Sequence, residues 1–234
     1  MIDKERYARQ MMLPEIGEEG QLKLHQAKVL IIGLGGLGAP VATYLTGAGI
    51  GTIGLCDPDR VSLSNLQRQT LYTTEELGQP KVYAAVKRLH AMNPDINFRI
   101  HQQGLSDDNA MGMIGSYDIV VDCTDNFKTR FLIDDVCRKL DRPWIHGAIG
   151  EFHGQVSVMN HYGCRRYLTD IFPDKDYFLS LPQTVKGVLG AVPGVVGAIQ
   201  ACETINTITG CGDILAGKLF TINLLTLQTE IIEI

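Results

Sequence analysis

The sequence predicts an α/β fold built on one continuous sheet, mainly parallel in its first half and antiparallel in its second, with helices on both faces. Three observations predict it. Residues 28–57 read strand, glycine turn, helix, strand, acid, the order of a βαβ unit. Asp118-Ile119-Val120-Val121-Asp122 is an apolar run of the kind a parallel strand shows when both its faces are covered. Beyond Gly150 the pattern turns to alternation, at 152–159 and again at 218–223 and 225–232, the last two reading as a hairpin.

A chain of 234 residues suits a single domain, residues 1–234, with a first half at about 27–150 and a second at about 151–234. Hydrophobic residues make up 45% and charged residues 20%, which excludes a disordered chain and allows a full core. The net charge of −5 argues against broad binding to nucleic acid or to an anionic membrane. The opening MIDKERYARQ has no apolar signal region, and no stretch is long enough to span a bilayer, so a cytoplasmic protein is expected. The six cysteines, Cys56, Cys123, Cys137, Cys164, Cys202 and Cys211, include no CxxC pair. Several read as small core residues, and no zinc is expected.

Taken in order, residues 3–26 are charged, with Ile16, Leu22 and Leu24 at near-helical spacing, and predict one or two short helices. Arg6 and Arg9 lie there and read as solvated from composition alone. The strand Val29-Leu30-Ile31-Ile32 runs into Gly33-Leu34-Gly35-Gly36-Leu37-Gly38 and a helix to about Gly49. Gly33 permits a tight turn, Gly35 lets phosphate oxygens approach the backbone, and Gly38 allows close helix packing. The helix N-terminus offers free N–H groups to an anion, and Pro40 suits its first turn. The next strand, 52–56, ends at Asp57, where an acid can reach ribose hydroxyls. This half is Rossmann-like; NAD, FAD, S-adenosylmethionine and ATP all remain open.

The polar stretch 58–69 reads as a loop beyond a strand's carboxyl end, where open α/β sheets bind ligands. Asn65 can hydrogen-bond a nucleotide there and Arg68 can clamp a phosphate; without Asp57 the same loop would read as plain surface. Gly78-Gln79-Pro80-Lys81 opens a helix to about Met92, ended by Asn93-Pro94. Lys81 in its first turn opposes the helix dipole by up to ~1 kcal/mol, a cost that vanishes if it faces an anion. Residues 96–100 alternate as a strand. After the strand at 118–122 come Cys123-Thr124-Asp125-Asn126 and a helix from Phe127 to about Leu140. Asp125 or Asn126 can cap that helix, and Asp125 is equally placed to hold Mg²⁺ beside a triphosphate. A strand at 143–149 follows; His146 and His153 receive no role. Residues 160–187 read as irregular, a mobile segment or crossover loop. An apolar helix then runs to Thr209, with Val195, Ile199, Cys202 and Ile205 as its expected buried stripe and Gly210 closing it.

Along the chain stand, in order, Arg6-Tyr7-Ala8-Arg9-Gln10, GLGGLG at 33–38, Asp57-Pro58-Asp59, Ser62-Leu63-Ser64-Asn65-Leu66-Gln67-Arg68-Gln69, Gly78-Gln79-Pro80-Lys81 and Asp122-Cys123-Thr124-Asp125-Asn126. This set resembles the ThiF/MoeB/HesA family, bacterial relatives of the ubiquitin-activating enzymes, from about residue 4 to the end and most strongly up to about residue 160. The resemblance implies ATP- and Mg²⁺-dependent adenylation of the C-terminal glycine of a small ubiquitin-like sulfur carrier ending in Gly-Gly, with residues 151–234 as the carrier-binding half. It implies that Gly33, Gly35, Gly36 and Gly38 line the phosphate turn, that Asp57 takes the ribose, that Asn65, Arg68 and Lys81 contact phosphates, and that Asp125 holds Mg²⁺. Arg9 matches an arginine that the family supplies from the other subunit, which implies a homodimer; Arg9, Arg68, Lys81 and Asp125 form the expected catalytic set.

A ThiS-like carrier of thiamine thiazole synthesis is the expected partner, with a MoaD-like carrier of molybdopterin synthesis as the alternative. The chain departs from the family in two places. Where zinc-binding members carry CxxC it reads Cys164-Arg165-Arg166-Tyr167, with no second pair near its end. Where thiazole-pathway members carry a cysteine before the glycine-rich helix it reads Gln183-Thr184-Val185-Lys186-Gly187, which leaves an acyl-disulfide step there without its nucleophile. Two rival readings are a non-catalytic relative that binds ATP and a carrier and, on the glycine turn and Asp57 alone, an NAD-dependent oxidoreductase.

Overall fold

The computed structural model describes residues 2–182 and 187–234. Two helices, α1 (Ala8–Met11) and α2 (Gly17–Gln26), precede the sheet. The first half then runs β1 (Lys28–Ile32), α3 (Gly38–Ala48), β2 (Thr52–Cys56), α4 (Lys81–Met92), β3 (Asn97–His101), α5 (Ala110–Gly115), β4 (Ile119–Asp122), α6 (Phe127–Leu140) and β5 (Trp144–Gly150). The second half holds β6 (His153–Met159), α7 (Leu168–Ile171), α8 (Lys175–Ser180), α9 (Ala191–Thr209) and the hairpin β7 (Lys218–Asn223) and β8 (Gln228–Glu233). The strands form one sheet in the order β3-β2-β1-β4-β5-β6-β7-β8. Pairing is parallel from β3 through β5 and antiparallel from β5 through β8. This is the mixed sheet that the sequence predicts.

Successive strand residues point to opposite faces, and over the central strands both faces are covered, whereas β8 is exposed along its length. Val29, Ile31, Ile53, Val121 and Val156 pack into the layer formed with α2, α3, α4 and α9. Leu30, Ile32, Val120, Trp144 and Met159 pack into the layer formed with α5, α6 and α7. That double burial is why β1 is apolar after Lys28 and β4 is apolar up to Asp122, each such side chain contributing roughly 1.5–3 kcal/mol when fully buried. No helix among the described residues is long and apolar enough to cross a membrane.

Two expectations need correction. The helices α7 and α8 fall in the stretch 160–187 read as irregular, and α5 in a stretch assigned no element; at four, six and six residues they are too short to show a 3.6-residue pattern. Residues 183–186 of the expected crossover loop lie outside the described residues. In α9 the structure buries a different face from the predicted stripe. Val192, Val196, Gln200, Ala201, Glu203 and Thr204 are buried, whereas Val195 is 36% exposed, Cys202 is exposed, and Ile199 and Ile205 are half-buried. The helix is apolar on most sides, so hydropathy does not choose a face. The choice comes from polar partners: Gln200 Nε2 donates to Asp122 O at 2.7 Å, and Glu203 Oε2 accepts the Leu215 N–H at 2.7 Å.

Candidate active site

The chain winds from β1 to β2 on one side, and β4 lies on the other side of β1. Ligands of open α/β sheets bind outside the strand carboxyl ends at such a reversal. Three loops meet there, after β1, β2 and β4.

Gly33 leaves β1 with φ of +92°, and a Cβ on it would stand 2.5 Å from the Cys123 carbonyl oxygen. A Cβ on Gly38 would run into the Gly33 carbonyl. The glycine turn is therefore pressed against the end of β4, an approach that only residues without Cβ allow. A Cβ at Gly35 would meet nothing nearer than Gln69 Nε2, at 3.5 Å, while one at Gly36 would stand 3.0 Å from Pro193 Cβ. Pro193 lies in the first turn of α9, so the N-termini of α3 and α9 both face this turn. Their dipole ends favour an anion, although the Ala39 and Val192 N–H groups already donate to Gly35 O and Leu189 O and Pro40 and Pro193 have none. The placement of α9 was not legible in the motif order.

Asp57 is 4% exposed. Its Oδ2 accepts the Leu34 N–H at 2.7 Å and its Oδ1 accepts the Asp59 N–H at 2.8 Å. Lys81, equally buried, lies 3.8 Å from Asp57 Oδ2 and 2.9 Å from Asp59 Oδ2. Burial raises the Asp57 carboxyl above its ordinary range, against the opposing pull of Lys81 and the two N–H groups. Lys81 thus already has two anionic partners. Asp59, passed over in the sequence reading, is the mostly exposed one.

Arg68 is half-buried and donates from Nη1 to Ser64 O at 3.0 Å; its Cδ lies 3.6 Å from the position a Gly36 Cβ would take. Asn65 Oδ1 accepts the Ser62 N–H at 3.3 Å, closing the 3-10 turn Leu63–Asn65. Beyond β4 the two candidate caps separate. Asn126 Oδ1 accepts the Thr129 N–H at 2.9 Å and caps α6, while Asp125 stays exposed, 3.4 Å from Asn126 Nδ2. No group of three or more His, Cys, Asp or Glu among the described residues gathers around a metal position. A single exposed carboxylate suits Mg²⁺, which takes one or two protein carboxylates together with substrate phosphates and water.

Arg9 stands apart from this set. It is exposed on α1, and α1 is anchored at the far end of α3: Tyr7 is buried against Gly49, Asn93 Nδ2 donates to Tyr7 OH at 2.8 Å, and Gln10 Nε2 donates to Ala48 O at 3.2 Å. The eleven residues of α3 put about 16 Å between that anchor and the glycine turn at 1.5 Å per residue.

A buried cluster behind the Asp125 loop escaped the sequence reading. Asp122 is fully buried; its Oδ2 accepts Arg130 Nε at 2.8 Å, and its Oδ1 accepts Thr124 N and Oγ1 at 3.0 and 2.6 Å. Arg130 Nη2 also donates to Thr124 O at 2.8 Å and Gly147 O at 3.2 Å. Burial alone would raise the Asp122 carboxyl; Arg130, His146 and Thr124 outweigh it and hold it below the usual carboxylate range. His146 Nδ1 lies 3.6 Å from Asp122 Oδ2, and burial holds that imidazole below its ordinary value. The available signal was a carboxylate ending a wholly apolar strand with an arginine eight residues on.

Residues 7–234 match the ThiF family. A sulfur carrier protein adenylyltransferase of Thermus thermophilus is 44% identical over 92% of this chain and 81% of its own length. An adenylyltransferase and sulfurtransferase MOCS3 of Culex quinquefasciatus is 46% identical over 92% of this chain, which spans 49% of that protein. A probable molybdopterin-synthase adenylyltransferase of Porphyra purpurea is 41% identical over 96% of this chain and 59% of its own length. Among solved structures, PaaA aligns with a TM-score of 0.83 at 24% identity over 99% of this chain and 73% of its own. E. coli MccB aligns with a TM-score of 0.84 at 22% identity over 99% of this chain and 70% of its own. These two likenesses concern the fold alone. The family match spans both the glycine turn and the antiparallel half, and on that ground the chain belongs to the ThiF family.

Proposed function

We propose that this protein is an adenylyltransferase of the cytoplasm that joins the AMP portion of ATP to the C-terminal glycine carboxylate of a small ubiquitin-like sulfur carrier, releasing pyrophosphate. The observation that supports it most is the gathering of the glycine turn, Asp57, Arg68, Lys81 and Asp125 at one reversal point of the sheet. Such a reaction asks the protein to hold carboxylate and α-phosphate in line and to offset negative charge as it grows. The glycine turn and two helix N-termini receive phosphate oxygens, and Asp57 receives the ribose. Asn65 and Arg68 border the same phosphates. Asp59 is exposed, so a bound phosphate can replace it as the partner of Lys81. Asp125 would hold Mg²⁺, which would supply charge neutralisation beside the phosphates.

The distance of Arg9 from its own glycine turn supports a homodimer in which each subunit lends Arg9 to the other. A groove of about 460 Å³ along β5–β8, lined by Ala148, His153, Gln155, Thr221, Asn223 and Glu230 among others, is the surface we assign to the carrier. A ThiS-like carrier follows from the sequence reading. The name of the Porphyra relative, a probable molybdopterin-synthase adenylyltransferase, favours a MoaD-like carrier instead.

The test is ATP–pyrophosphate exchange with each carrier in turn. Mg²⁺-dependent exchange with one carrier is expected, falling about 10²–10³-fold in Asp125→Ala and Arg68→Ala, as for loss of other transition-state charge partners. Full exchange in both variants overturns these roles. ATP binding without exchange on any carrier moves the reading to a non-catalytic relative.

A further inference from the structure

Gln69 follows Arg68, and nothing above uses its side chain. It is 4% exposed. Its Oε1 is buried without a hydrogen-bond partner among the described residues, and its Nε2 is directed at the glycine turn, 3.5 Å from where a Gly35 Cβ would stand. The backbone on either side is tied down: Gln69 N donates to Asn65 O at 2.9 Å, and Gln69 O accepts the Tyr72 N–H at 3.2 Å. The backbone is thus held, and the buried amide is aimed at the turn.

A buried amide with an orphaned end costs stability. A half-turn of the amide exchanges oxygen and nitrogen and still leaves one end unpaired. Leucine would occupy similar space without that cost, so packing does not account for glutamine here. The surroundings do. Gly35 is open on this side, and the N-termini of α3 and α9 make the turn attractive to negative charge. An anion over Gly35 gives the amide N–H a charged acceptor, a gain that offsets the standing cost of the unpaired Oε1.

We propose that Gln69 is a ligand-binding residue of this site, its amide donating to an anionic oxygen held over Gly35: a phosphate oxygen of the nucleotide or the carboxylate that attacks it. The proposal rests on the adenylation reading and adds to it a contact by a neutral side chain.

Gln69→Leu and Gln69→Glu test it by thermal melting, ATP titration calorimetry and pyrophosphate exchange. Gln69→Leu should melt at or above the wild-type temperature while exchange falls about tenfold, the scale of a lost hydrogen bond to a charged group. Weaker ATP binding in step with that fall identifies the phosphate as partner. Unchanged ATP binding with a raised KM for the carrier, or a lowered kcat, identifies the carboxylate. Gln69→Glu, similar in size but negative, should fall further than the leucine variant. Exchange and ATP affinity within about twofold of wild type in both variants overturn the proposal. So does a leucine variant that melts lower yet binds and exchanges normally, since that is a packing role. A wild type that binds no ATP at all sinks the adenylation reading itself, and this assignment with it.

Discussion

Replacing Arg130 with glutamine takes the guanidinium away from Asp122, whose carboxylate is fully buried. The hydrogen bonds of Arg130 to Asp122, Thr124 O and Gly147 O go with it. Breaking a buried ion pair from one side costs about 3–5 kcal/mol, because the remaining charge is left uncompensated. For a chain of this length each kcal/mol moves the melting temperature by about 2–4 °C, so Arg130→Gln should melt roughly 6–20 °C below wild type at pH 7. The pH dependence has a definite sign. In the wild type the Asp122 carboxyl is held below its ordinary range; its contribution is present above the unfolded value and is lost as pH falls through the lowered folded value. In Arg130→Gln, burial without the guanidinium raises the same carboxyl, so its penalty is relieved as pH falls through the raised value. The gap between the two proteins should therefore narrow from pH 7 to pH 4. Asp122→Asn combined with Arg130→Gln, carrying neither charge, should recover part of the loss at pH 7. Circular-dichroism melts of the three proteins at both pH values decide it. Equal melting temperatures at pH 7, or a gap that widens on acidification, would refute the reasoning.

Two further substitutions separate stability from the site. Asn126→Ala removes the cap on α6 and should cost about 1 kcal/mol in urea unfolding; unchanged stability would mean the cap bond adds nothing. Gly33→Ala places a Cβ against the Cys123 carbonyl at a positive φ. The left-handed backbone alone costs about 1–2 kcal/mol, and the end of β4 must move as well. ATP binding measured by calorimetry should be lost, and normal binding would show that the turn and β4 are not pressed together as described.

What was legible in the sequence is what neighbouring residues decide among themselves. The glycine turn, the α3 and α6 helices and the hairpin β7–β8 follow from period, turn chemistry and a cap within a few residues. The apolar strands β1 and β4 announce burial on both faces because any polar side chain there would be stranded. The motif order likewise placed Asp57, Arg68 and Asp125 at strand ends or in loops and Lys81 in the first turn of a helix, where side chains converge. The rest depends on pairing between distant segments. Asp59 holds Lys81 from 22 residues away, Pro193 reaches Gly36 across most of the chain, and Gln200 turns α9 by its bond to Asp122 O. The length of α3 and the anchor of Tyr7 on Gly49 keep Arg9 away from its own turn. By itself, then, the sequence determined the sheet class, the elements long enough to carry a period and the residues that can meet an anion. Which face of α9 is buried, which carboxylates meet Lys81 and Arg130, and where Gln69 points were decided only by tertiary packing, because each depends on a partner that periodicity within one segment cannot specify.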